Sequence, residues 1–110
     1  MLVELDVFSG RPNPRWELDS TSSESLRQLL SQLQPSRQTH LTGPALGYRG
    51  FKCSDAEEQV HACRGLVQTP RGILDDPLFT LERFLLSCIP AEFASLGTRI
   101  AAELGIEGRS

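Results

Sequence analysis

Val3, Leu5 and Val7 alternate with Glu4 and Asp6 near the start of the chain. Side chains on a strand point to opposite faces in turn, so this period of two predicts a half-buried β-strand. The alternation stops at Ser9 and resumes in Arg15-Trp16-Glu17-Leu18. That predicts a short second strand returning antiparallel, with Trp16 and Leu18 on the core face. Residues 9–14 must turn between the two. Pro12 and Pro14 cannot donate to a sheet ladder, and each restrains the residue before it to extended geometry.

The period then changes. Leu26, Leu29, Leu30 and Leu33 follow the i, i+3, i+4, i+7 spacing of one buried helix face. Thr21-Ser22-Ser23-Glu24 fits a capping box, with Thr21 as N-cap and Glu24 reaching back, and Pro35 ends the helix. Residues 35–46 read as a loop, polar and then punctuated by Gly43-Pro44. "LGYRGFKCS" reads as a strand, with Arg49, Phe51 and Cys53 on one face and Tyr48, Gly50 and Lys52 on the other. A glycine inside a strand marks a bulge or a close backbone approach.

Residues 54–65 carry two signatures. Ser54 and Glu57 fit a second capping box, and Gly65 fits a helix stop. Yet Ala56, Val60 and Cys63 make a poor apolar stripe. Strands over 59–68 and 72–74 are therefore expected, joined by a type I turn at Thr69-Pro70-Arg71-Gly72. A second helix opens with Asp76 as N-cap and Pro77 at the first helical position. Leu78, Leu81, Phe84, Leu85 and Cys88 form its apolar face. A third places Phe93, Leu96, Ile100 and Leu104 at helical spacing, with Gly105 as its C-cap. The expected fold is α+β: a small, largely antiparallel sheet packed by about three helices, in the order ββαββ(β)αα. The 110 residues suit a single domain, with 106–110 as a frayed tail.

Composition narrows the function classes. Acidic residues outnumber basic ones 14 to 11, for a net charge of −3. A nucleic-acid binder normally carries a basic excess, so nucleic acid is not an expected partner. No stretch approaches a membrane span, and the N-terminus lacks the basic and apolar regions of a signal peptide. Cys53, Cys63 and Cys88 are odd in number and lack a disulfide-framework spacing. A reduced, cytoplasmic protein is expected. No P-loop, no G-x-G-x-x-G and no G-x-S-x-G occurs, so no cofactor is indicated. His61 and Cys63 would share a strand face, with Cys53 across a hairpin and His40 or Cys88 as a remote fourth ligand. Zinc sites usually show two close ligand pairs, and only one is present, so buried free thiols are the expected state.

Two Gly- and Pro-punctuated stretches concentrate recognition chemistry. "FSGRPNPRWEL" displays Arg11, Asn13 and Trp16 on a stiffened loop, and "GYRGF" displays Tyr48 and Arg49. A stiff loop loses little entropy on binding, and a guanidinium beside a phenol suits an anion. Turn chemistry and aliphatic packing of the arginine stem also account for these residues. The two stretches, followed by "DDPLFTLERFLL", resemble a group of small uncharacterised proteins. These share a strand–SGRPNP–W opening and a central LGYRGF segment. The resemblance spans about two-thirds of the chain. It implies a common single-domain scaffold and carries no activity.

The leading expectation is a non-catalytic binding or accessory domain. It would recognise a peptide, partner protein or small anionic ligand through the 9–16 loop and the 47–52 strand, using Arg11, Asn13, Trp16, Tyr48 and Arg49. An exposed edge at that strand would accept an extended peptide by β-augmentation. The alternative is a small enzyme in the same pocket, with an arginine anion clamp and His61 as general acid/base. A third is a homo-oligomer formed through an exposed helix face.

Overall fold

The computed structural model describes residues 1–39, 41 and 47–106. The expected 35–46 loop, His40 and the 106–110 tail fall wholly or partly outside these residues. Among the described residues, seven strands form one antiparallel sheet: β1 (Leu2–Leu5), β2 (Arg15–Glu17), β3 (Gln34–Pro35), β4 (Phe51–Ser54), β5 (Gln59–Cys63), β6 (Leu66–Thr69) and β7 (Gly72–Asp75). Their order across the sheet is β2-β1-β4-β5-β6-β7-β3. Among the described residues there are three α-helices, α1 (Ser20–Ser31), α2 (Thr80–Ser87) and α3 (Ala94–Leu104), the last preceded by a 3-10 turn at Ala91–Phe93. The α+β class predicted by periodicity is the observed one.

Strand register explains which face is buried. Val3 lies opposite Trp16 and Cys53, Cys53 opposite Val60, and Leu5 opposite Phe51. Directly paired residues share a face. These residues form one core cluster with Leu26 and Leu30 of α1, Leu81 and Leu85 of α2, and Ile100 of α3. The helices therefore cover one face of the sheet. Glu4, Lys52, His61 and Gln68 occupy successive paired positions on the other face. No single described helix is long and apolar enough to cross a membrane.

Several boundaries differ from the sequence expectation. The N-cap of α1 is Asp19, whose carboxylate accepts from Ser22 N at 2.7 Å. Glu24 faces Arg27 instead of reaching back. Aspartate is as good a cap as threonine, and Asp19 lies two residues further upstream. Pro35 does end the helix region, but it also pairs with Leu74 in edge strand β3, where a missing N–H is tolerated. The expected strand 59–68 is two strands, because Arg64 and Gly65 both have positive φ (51° and 85°). That is a two-residue hairpin turn of the primed type.

Helix α2 starts at Thr80, not after Asp76. Phe79 adopts a left-handed conformation and its ring seats beside Gly65, delaying the helix. Asp76 still supplies the acceptors for the helix start, taking bonds from Thr80 N, Thr80 Oγ1 and Leu81 N at 2.7–2.9 Å. Gly105 is the left-handed C-cap of α3, as its sequence position predicts.

Candidate functional site

The loop after β1 is organised by one side chain. Asn13 Oδ1 accepts from the backbone N–H groups of Val7 (3.0 Å) and Phe8 (2.8 Å). Its Nδ2 donates to Glu4 (2.9 Å) and Asp6 (3.3 Å). An amide has two donors and one oxygen with two lone pairs, so Asn13 is fully used. This is the residue that lets a chain with two prolines turn back into β2.

Arg49 reaches the same place from the far side of the sequence. Its Nε and Nη2 donate to Asp6 Oδ1 at 3.2 and 2.9 Å, and Nη2 also donates to Phe8 O at 2.7 Å. Lys52 Nζ stands 3.5 Å from the other Asp6 oxygen. Burial pushes the Asp6 carboxyl up. The Arg49 hydrogen bond and the Lys52 and Arg49 charges outweigh that, and hold it below the usual 3.8. Backbone bonds Asp6 N–Gly50 O and Arg49 N–Asp6 O lock the two segments together. Asn13 and Arg49 thus both meet Asp6.

Tyr48 does not join them. The alternation expected through 46–54 breaks at Gly50, whose φ of 106° shifts the pattern by one residue. A Cβ there would also stand 2.5 Å from Ala62 O, so only glycine lets the backbone pass. Tyr48 is consequently fully buried with Phe51, while Arg49 faces outward and away from Phe51 and Cys53. Strand β4 lies between β1 and β5, so the edge expected at 47–52 is absent, and among the described residues the outermost strands are β2 and β3.

The Tyr48 hydroxyl donates to Glu82, which is itself buried on α2. Glu82 also accepts from Arg64 N (2.8 Å) and Gly65 N (2.9 Å), and so holds the β5–β6 turn. Burial, reinforced by the Glu82 charge, drives the Tyr48 phenol far above its ordinary value.

Arg11 and Trp16 mark the outer side of the loop. The Arg11 guanidinium lies 3.9 Å from the Phe8 ring centroid. Trp16 is half-buried at the sheet margin, edge-on to Phe51 and tilted against Phe93 at 6.0 Å. Between the loop and α3 runs a cavity of 560 Å³. Phe8, Pro12, Pro14, Phe93 and Leu96 give it apolar walls, and Arg11, Arg99 and Glu92 stand on it. Among the described residues, neither Arg11 nor Arg99 has a carboxylate within ion-pair distance. The sequence does not point to Phe93, Leu96 or Arg99. Helical spacing assigns the first two to the core, and nothing in the sequence brings α3 beside the loop.

His61 belongs elsewhere. It lines a second cavity of 550 Å³ on the uncovered sheet face, with Glu4, Lys52, Gln59, Gln68 and Thr69. Its Nε2 donates to the Arg49 carbonyl at 2.7 Å, not to a group in the loop–α3 cavity. Cys53 points into the core while His61 faces the other way, so the hairpin trio considered for a metal is split across the sheet. Burial pushes the Cys53 and Cys63 thiols up to about 12 and about 11, which keeps both protonated at neutral pH. Comparison with protein-family models, with curated proteins and with solved structures finds no match to this chain.

Proposed function

We propose that the protein is a non-catalytic binding domain, and that it takes an acidic, apolar-bearing segment of a partner protein in the groove between the 9–16 loop and α3. One observation carries this reading. An apolar groove is flanked by two exposed arginines that lack carboxylate partners among the described residues. Such cations are available to an incoming carboxylate, and the apolar walls favour a segment with a bulky side chain. One wall is the prolyl loop, already fixed by Asn13 and Arg49, so binding orders little more backbone. In this reading the 47–52 segment supports the loop from beneath. His61 lines the cavity on the uncovered sheet face and not this groove, which favours binding over the acid/base alternative. A cytoplasmic setting accords with three free cysteines.

The test is a displayed library of random peptides, panned on the wild type and on an Arg11→Ala/Arg99→Ala variant. The expected result is enrichment of peptides pairing Asp or Glu with a bulky apolar residue, lost on the variant. Enrichment that survives the double substitution removes the groove from consideration.

A further inference from the structure

Among the described residues, strand β2 has one hydrogen-bonded neighbour, β1, and nothing pairs with its other edge. Leu5 N donates to Pro14 O at 3.0 Å and Leu18 N to Met1 O at 2.9 Å. In an antiparallel ladder the bonded positions alternate, so residues 14, 16 and 18 face β1. The backbone N–H and C=O groups of Arg15 and Glu17 therefore point away from the sheet. Pro14 occupies an inward position, so its missing N–H takes nothing from the open edge.

We propose that two copies of this chain pair through that edge, antiparallel about a twofold axis at Trp16. The register follows from the charges. Centred on Trp16, Arg15 of one protomer lies opposite the partner's Glu17, and its own Glu17 lies opposite the partner's Arg15. These are the residues with outward backbone groups, so both pairs are hydrogen-bonded pairs. Their side chains lie on the same face and are 62% and 74% exposed, so each can extend across the axis while Arg15 stands 3.5 Å from its own Glu4 and Glu17 3.6 Å from its own N-terminal amine. Sliding the register by two sets arginine against arginine or glutamate against glutamate, which disfavours it. Edge strands commonly carry like charges that repel a second edge. Here one basic and one acidic residue flank the axis, and the edge complements itself. At the other end of the sheet, β3 is two residues long and contains Pro35.

The pairing joins two seven-stranded sheets into one. With only three residues per strand in register, the contact is small, and the dimer is weak and concentration-dependent. It uses the backbone edge rather than the loop–α3 groove, so it does not rest on the peptide-binding reading.

Sedimentation equilibrium at low salt, up to millimolar concentration, tests it on the full chain. Four samples are compared: wild type, Arg15→Glu, Glu17→Arg, and an equimolar mixture of the two variants. The wild type is expected to dimerise, and each variant to associate about tenfold more weakly or worse, since both cross-axis pairs become repulsive. The mixture is expected to recover the dimer, because one chain then presents two acids and the other two bases. A wild type that stays monomeric, variants that dimerise like wild type, or a mixture that fails to recover each overturns the proposal. Circular dichroism confirms that the variants fold. The Arg11→Ala/Arg99→Ala variant is expected to dimerise normally, which separates this edge from the groove.

Discussion

Arg49 and Arg11 both touch Phe8, one at its backbone carbonyl and the other at its ring. Arg49 donates to the Phe8 carbonyl and to Asp6, and its side chain is 23% exposed. Arg11 lies over the Phe8 ring and is otherwise in solvent. The same side-chain type is a structural tie at one end of the loop and an available charge at the other. The difference lies in the partners. Asp6 and a backbone carbonyl satisfy Arg49, whereas a ring face leaves every N–H of Arg11 able to donate. A loop built this way has a fixed base and a receptive rim.

Asn13 should show the largest effect if the base is what fixes the loop. Asn13→Ala strands the Val7 and Phe8 amides and removes both donors that separate Glu4 from Asp6. A loss of about 2–3 kcal/mol is expected, the range for leaving partly buried groups without partners. Urea unfolding measures it, and an unchanged midpoint shows that the prolines alone hold the turn. Arg49→Ala should cost less, about 1–2 kcal/mol, because the guanidinium is partly solvated and Lys52 remains beside Asp6. Arg49→Lys should recover only part of this, since a lysine cannot span Asp6 and Phe8 O with one planar fork.

How much of this is legible in the sequence follows from the signals involved. Periodicity identifies β1, β2 and most of the apolar helix faces because each is a repeat within one element, although Leu78, expected on the second helix's apolar face, precedes α2 and is 72% exposed. The role of Asn13 as a turn residue is legible too, since turn chemistry accounts for an asparagine flanked by prolines as readily as recognition does. The burial of Tyr48 is not. Reading faces by alternation assumes continuous extended backbone, and the positive φ at Gly50 inverts the phase on one side of it. The split at Arg64-Gly65 hides for a related reason. A non-glycine residue in the left-handed region depends on Glu82, eighteen residues away, to hold its amide. The groove is the least legible feature, because it exists only where α3 meets the loop.

Acid should weaken the base and leave the rim alone. The Asp6 carboxyl lies below 3.8 in the folded state, so its charge stabilises the fold fully at pH values above 3.8. That contribution is lost as the pH falls from there through the lowered folded value. Asp19 and Asp55 are also lowered, by hydrogen bonds from nearby backbone amides, and share the same acid limb. Asp6→Asn should therefore give a shallower fall in stability below about pH 4 than the wild type, with part of the slope remaining. An identical slope in the two proteins means that Asp6 titrates alike folded and unfolded, and the Arg49 tie is then electrostatically idle.

The smallest expected effect on stability is the most informative about the rim. Arg11→Ala/Arg99→Ala removes two exposed side chains that hold no carboxylate among the described residues, so the unfolding free energy should change by less than about 0.5 kcal/mol. Arg11 stacks on the Phe8 ring in solvent, where cation–π attraction is at its weakest, so its removal there costs little. Isothermal titration with a library-selected acidic peptide should, in the same variant, show affinity reduced by about tenfold or more, since each charge-assisted hydrogen bond carries more than a neutral one. A protein as stable as the wild type that no longer binds separates the rim from the base. A double variant that is markedly destabilised puts Arg11 and Arg99 in the same structural role as Arg49, and the contrast between the two ends of the loop disappears.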